Sequence, residues 1–347
     1  MKYLLTLGLL AASFTGLSHE GHSHKINPEA LQKAPFVDAD YLTGQGKFTY
    51  KVDLNWGETI KGKPTLGSTH GGVAIDKEGN VYVSTNGADG IIKFCGDGHA
   101  HKAFGKETAG SHNLALKVED GKEFIYAAFP GGKGKVCKID LDGNIIWTIH
   151  GHPDHAAYKK EKPRYKPTAI DVAPDGRIYV ADGYSTSLIH VYSADRKYIK
   201  SFGGGGKGEG KFRTSHGLTI DTRGEKPLII VVDRENRKLQ RMTLEGEYVD
   251  TPTTDLRRPC AISIMGDYIA VAELSGRCVI LDKDFKVISI LGDNPDKKQH
   301  HSYGVKPKDW KPSIFTAPHG CALDKDLNLY VQDWNSTGRL RKFIIQK

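Results

Sequence analysis

The chain has 347 residues, 38% of them hydrophobic and 26% charged, a balance that excludes a disordered polymer and allows a large buried core. Its formal net charge is +8, but lysines and arginines are interspersed with carboxylates, and no arginine-rich helix or aromatic ladder accompanies them. A nucleic-acid partner is therefore not expected, whereas a basic surface favours anionic small molecules.

In chain order, residues 1–18 read as a secretory signal. Lys2 supplies the positive start, an apolar run follows, and Gly16 and Ser18 are small enough for a cleavage site. Ser13, Thr15 and Gly16 interrupt the run, which is too short to span a bilayer. The expectation is export, to a periplasm or the exterior, without stable membrane insertion. Residues 19–45, with His19, His22 and His24, read as a flexible segment, and residues 46–347 as one domain.

Within that domain, glycines fall in turn signals such as Glu78-Gly79-Asn80, Asp142-Gly143-Asn144 and Asp175-Gly176, the spacing of many short strands joined by tight turns. One pattern recurs six times, beginning at His70, His112, Thr168, His216, Cys260 and His319. Each unit runs from an apolar inner strand through an acidic or glycine turn to a strand such as Ile178-Tyr-Val-Ala-Asp, then a third such as Leu188-Ile-His-Val-Tyr. A fourth, outer strand follows in units such as that of residues 168–202. Six such units predict an all-β, six-bladed β-propeller. The last unit runs out of chain after its third strand. Residues 48–56, a strand with no unit of its own, are expected to supply the missing outer strand and close the ring.

Equivalent blade positions converge on the propeller axis. The column of unit starts places four imidazoles, His70, His112, His216 and His319, beside the Cys260 thiol at one level of a central channel. Neutral imidazole is the commonest metal ligand, and three of them leave one position open in a catalytic zinc site. The column alone does not single out three of the four, nor does it say whether Cys260 joins them. His99, His101, His150, His152, His155, His300 and His301 fall in polar loops and read as surface residues. The five cysteines allow two disulfides and a free thiol, or none of these.

The stretches Lys166-Pro-Thr-Ala-Ile-Asp-Val, Ile178-Tyr-Val-Ala-Asp-Gly-Tyr, Thr214-Ser-His-Gly-Leu-Thr-Ile and Val232-Asp-Arg-Glu-Asn-Arg resemble the peptidyl-α-hydroxyglycine α-amidating lyases, propellers of the NHL-repeat type. The resemblance implies cleavage of a C-terminal α-hydroxyglycine to a peptide amide and glyoxylate. It implies a zinc ion held by histidines of blades two, four and six, here His112, His216 and His319. Tyr184 matches the family's catalytic tyrosine and Arg234 its active-site arginine. The chain also departs from the family. His70 stands nearest the family's further arginine in blade one, and Ala317 replaces a methionine. Gly320 replaces the aspartate that binds calcium, which puts that calcium site in doubt, and Ser185 replaces a disulfide cysteine.

The function expected is thus an exported zinc-dependent carbon–nitrogen lyase, monomeric, acting on a peptide C-terminus or another small substrate. Two alternatives stand beside it. A non-catalytic propeller would bind a peptide, glycan or protein on its top face. A copper-handling protein would use the histidine-rich N-terminus and Cys260.

Overall fold

The structure is a computed structural model that describes residues 24–25, 41–57, 65–160 and 163–347. The expected signal at 1–18, and His19 and His22, lie outside the described residues. Among the described residues no helix is long and apolar enough to cross a membrane.

Six antiparallel sheets follow one another along the chain. Blade one is Val73–Ile75, Val81–Ser84, Ile91–Phe94 and Ala100–Ala103; blade two is Asn113–Glu119, Lys122–Phe129, Lys135–Asp140 and Ile145–His150. Blade three is Ala169–Val172, Ile178–Ala181, Leu188–Tyr192 and Tyr198–Gly203; blade four is Ser215–Asp221, Leu228–Asp233, Lys238–Thr243 and Tyr248–Thr254. Blade five is Pro259–Met265, Tyr268–Glu273, Arg277–Leu281 and Val287–Leu291. Blade six combines Pro318–Leu323, Leu329–Asp333 and Arg339–Ile345 with Phe48–Asp53 from the other end of the domain, paired antiparallel from Lys342–Asp53 to Ile345–Tyr50. The ring is closed as the sequence predicts, although the strand stops at Asp53. Trp56 lies beyond it, packed between blades six and one.

Two pieces extend the sheets further than expected. Leu42–Gln45 folds back on Phe48–Asp53 as a fifth strand of blade six, so the domain begins before residue 46. The cause is a tight turn at Gln45–Phe48, with Gly46 at φ 55°. His24–Lys25 pairs in parallel with Thr253–Thr254 at the outer edge of blade four, so this part of the segment read as flexible is a strand.

Strand alternation explains why the middle strands are buried on both faces. Ile178 and Val180 pack towards blade two, while Tyr179 and Ala181 pack towards blade four. Ile229 and Val231 face blade three, and Ile230 and Val232 face blade five. Successive clusters join blades one–two, two–three, three–four, four–five, five–six and six–one. No blade could bury both faces alone, and each fully buried aliphatic side chain contributes about 1.5–3 kcal/mol to holding its neighbour. All five cysteines are free thiols, four of them buried.

Candidate metal centre on the propeller axis

The unit starts reach the axis through a repeated irregularity of the backbone. In blades four, five and six the register slips between Ser215 and Gly217, between Pro259 and Ala261, and between Pro318 and Gly320. His216, Cys260 and His319 are the skipped residues. In blades two and three, His112 and Asn113 both oppose Ala128, and Thr168 and Ala169 both oppose Ala181. A bulge of this kind re-aims one side chain without ending the strand.

The glycine that follows several of these residues has a local reason. A Cβ at Gly217 would sit 2.7 Å from the Cys260 carbonyl oxygen, and one at Gly320 would collide with the carbonyl of Gly71. The aspartate that binds calcium in the amidating lyases therefore has no room at position 320. Ala317, where that family has methionine, packs with Cys260 and Leu274.

Four imidazoles meet at the axis. Ring centres are 4.6 Å apart for His112–His216 and for His216–His319, 5.0 Å for His112–His319, and 4.7 and 5.0 Å from His70 to His112 and His319. His112, His216, His319 and Cys260 are buried, while His70 is partly exposed. One ligand atom each of His70, His112 and His319 lies within 4.8 Å of the others, and so does one each of His216, Cys260 and His319. Thr168, the sixth unit start, instead turns its hydroxyl to the Ser215 carbonyl at 2.8 Å.

Hydrogen bonds to the next blade fix two of these rings. His112 Nδ1 lies 2.7 Å from the Thr168 carbonyl oxygen, and His216 Nδ1 lies 2.8 Å from that of Cys260. Each Nδ1 must therefore carry the proton, which leaves a lone pair on Nε2. Both Nε2 atoms point at one hydroxyl, that of Tyr184, at 2.9 and 2.8 Å. A phenol has one proton and cannot satisfy two lone pairs. An extra proton on either ring is opposed by burial, which pushes the pKa of His112, His216 and His319 well below the ordinary histidine value. His319 Nδ1 is buried with no hydrogen-bond partner among the described residues. This surplus of neutral nitrogen donors, oriented by carbonyls behind them, is the environment that a divalent transition ion fits.

Tyr184 and Arg234 come from the loops that follow the second strands of blades three and four. An acid at the end of that strand anchors the approaching chain in each of the last four blades. Asp182 accepts Lys166 N–H at 2.7 Å, Asp233 accepts Arg213 N–H at 2.8 Å, Glu273 accepts Arg257 N–H, and Asp333 accepts Thr316 N–H at 3.2 Å. Arg234 Nη1 donates to the Tyr184 hydroxyl at 3.4 Å and its guanidinium lies 5.3 Å from the Tyr184 ring centre. Its Nε is held by Glu235 at 2.9 Å, so the ion pair and the contact with Tyr184 coexist. Burial raises the Tyr184 pKa, and Arg234 opposes the rise. Burial likewise pushes the Cys260 thiol to about 11, against the pull of Arg234 and Arg258.

Reading the sequence misses Arg258, Trp334 and Cys321. Arg258 grips Glu235 through Nε and Nη2, the latter at 2.6 Å, which adds a second guanidinium beside the mouth. Trp334 lies 6.4 Å from His70. The signal for it was the Asp333-Trp334 pair, which repeats the position of Asp233-Arg234. Cys321 lines, with Cys260 and the three buried histidines, an axial cavity of about 40 Å³. Of the histidines read as surface residues, His99, His101, His150, His152 and His301 are exposed, while His155 and His300 are half-buried.

Comparison with known proteins agrees with this architecture. A family described as a six-bladed β-propeller (DUF5128) matches residues 166–273. A streptogramin B lyase structure superposes with a TM-score of 0.57 at 14% identity, over 86% of this chain and 98% of that one. A catalytically inactive histidine-to-alanine variant of virginiamycin B lyase from Staphylococcus aureus, with quinupristin, gives 0.51 at 16% identity, over 86% and 89%. A gluconolactonase from Xanthomonas campestris gives 0.54 at 12% identity, over 81% and 89%. Such identities establish a shared fold, and the chain is a six-bladed β-propeller.

Proposed function

We propose that this protein is an exported, metal-dependent lyase that works at the histidine ring on a small substrate carrying a hydroxyl and a carboxylate. Its specific form is cleavage of an α-hydroxyglycine C–N bond to an amide and glyoxylate. The observation that carries the reading is one hydroxyl, that of Tyr184, held between two unprotonated Nε2 atoms with Arg234 3.4 Å away. Several propellers of this shape are enzymes by name, lyases and a lactonase, and a histidine-to-alanine change inactivates one of them.

His112, His216 and His319 would hold the ion, zinc by the family resemblance, which supplies Lewis-acid polarisation of the substrate hydroxyl. Tyr184 would first give up its own phenolic proton to solvent, helped by the positive charge of the ion and of Arg234, and the phenolate Oη would then take the proton from that hydroxyl. As the C–N bond breaks, the same proton passes to the departing amide nitrogen, so Tyr184 acts as base and then acid. Arg234 lowers the cost of the phenolate and offers its Nη atoms to the substrate carboxylate. Burial of the ring excludes water and strengthens each of these interactions.

The test is the metal content of the purified full chain together with glyoxylate release from an α-hydroxyglycine peptide, with a lactone and a streptogramin as rival substrates. Tyr184→Phe is expected to lower turnover by about a hundredfold or more and leave substrate binding within a few-fold. A folded wild-type chain that takes up no metal overturns the proposal, as does unchanged turnover in Tyr184→Phe.

A further inference from the structure

The family resemblance leads to a three-histidine site, but the fourth imidazole is placed as though it belongs to the same centre. His70 directly precedes Gly71, which lines the axial cavity together with His112, His216 and His319. Its ring packs 4.7 Å from His112, 5.0 Å from His319 and 6.1 Å from Tyr184, stacked on the last. It is partly exposed and forms no hydrogen bond with any described residue. Neither ring nitrogen has a partner among those residues, so the lone pair of the neutral ring is free for an ion. A ligand atom of His70 shares one 4.8 Å neighbourhood with His112 and His319. Meanwhile His216 Nε2 is engaged by Tyr184 at 2.8 Å.

We propose that His70 is itself a ligand of the ion, so that imidazoles from blades one, two, four and six surround it and His70 closes the side facing solvent. This rests on the reading that the ring holds an ion, and it changes what that site can take. Four nitrogen donors suit zinc or copper(II) and disfavour magnesium and calcium. Small ligands, the substrate hydroxyl of the proposed reaction included, must displace His70 or add as a fifth ligand, because four nitrogens fill a tetrahedral shell.

The experiment titrates the chelator-stripped full chain with Zn²⁺ and Co²⁺, comparing wild type with His70→Ala and His70→Gln. Circular dichroism of the metal-free proteins serves as the folding control. Zinc affinity is expected to fall at least about tenfold in both variants. The cobalt absorption bands should shift, and millimolar imidazole should restore the wild-type bands in His70→Ala. Azide should perturb the cobalt spectrum more in His70→Ala than in wild type. Unchanged affinity and spectrum in both variants overturn ligation by His70 alone and leave the proposed function standing. A wild-type chain that takes up neither ion overturns both.

Discussion

Among the described residues the buried histidines are an axial cluster and the single His190, and the two surroundings differ in whether the ring protons are accounted for. His190, on the third strand of blade three, is as buried as the axial rings, yet each of its ring nitrogens is matched. Its Nδ1 lies 2.7 Å from the Ser201 hydroxyl and its Nε2 2.8 Å from the Tyr158 hydroxyl, and Tyr158 donates to Asp182 at 2.7 Å. With the proton on Nε2, that chain closes with one donor for each acceptor. The axial group does not close, because His112 and His216 present two lone pairs to one phenol. Burial alone thus does not mark a functional histidine; a shortfall of protein hydrogens around it does.

Breaking each group separately sharpens the contrast. His216→Ala is expected to lower zinc affinity by more than about a hundredfold, beyond the 10–100-fold that loss of a supporting contact to a ligand costs. Metal-free stability should fall by about 1–2 kcal/mol, because the cavity and the freed Cys260 carbonyl are offset in part by removal of an Nε2 lone pair that lacked a donor of its own. Isothermal titration and urea unfolding of stripped protein measure the two. A large stability loss with unchanged zinc affinity would make the axial ring a structural feature like the surroundings of His190.

The reverse pattern is expected at His190. His190→Ala leaves a cavity and takes one partner each from the Tyr158 and Ser201 hydroxyls, which keep Asp182 and Tyr198, so stability should fall by about 2–3 kcal/mol while zinc affinity stays within about twofold. A pH signature accompanies it. Burial, then the charges of His155 and His152, pulls the His190 pKa down to about 3, against an ordinary value near 6.5 in the unfolded chain. The native ring stays neutral where the unfolded one takes a proton. Its contribution is therefore whole above pH 6.5 and is lost as the pH falls from there towards 3. The slope is about 1.4 kcal/mol per pH unit, and in His190→Ala the unfolding free energy should fall correspondingly less steeply over that window.

Periodicity explains why one group was legible in the sequence and the other was not. The axial residues occupy the same position of successive units, so aligning the units brings His70, His112, His216, Cys260 and His319 to one level, and blade closure by residues 48–53 follows from counting strands. Tyr158 lies in the short helix Ala156–Lys160 between blades two and three, a connection that differs in length and sequence from the three-residue helical turn Lys106–Thr108 between blades one and two. Nothing periodic could pair it with His190, 32 positions away. The same limit applies to Arg258, whose role depends on Glu235 reaching across from blade four. It applies also to the division of the axial donors by the Tyr184 hydroxyl, which is a matter of loop reach rather than residue type.

The smallest expected effect is the most discriminating, because the same deletion of one oxygen is made in both places. Tyr158→Phe removes the hydroxyl that satisfies His190 Nε2–H and one of the donors to Asp182 Oδ2; Thr186 still donates to that oxygen, with its Oγ1 at 2.7 Å. A buried imidazole N–H is left without an acceptor, at a cost of about 1–2 kcal/mol. Tyr184→Phe removes the one hydroxyl facing two lone pairs, so a favourable contact and an unfavourable one disappear together, while the long bond from Arg234 Nη1 is lost from a guanidinium that Glu235 still holds. Metal-free stability should then change by less than about 0.5 kcal/mol. Denaturant midpoints of the two variants, measured on stripped protein at neutral pH, give the comparison directly. Equal losses would mean that the Tyr184 hydroxyl is as fully satisfied as that of Tyr158, and the hydrogen shortfall that points to a cation on the axis would be gone.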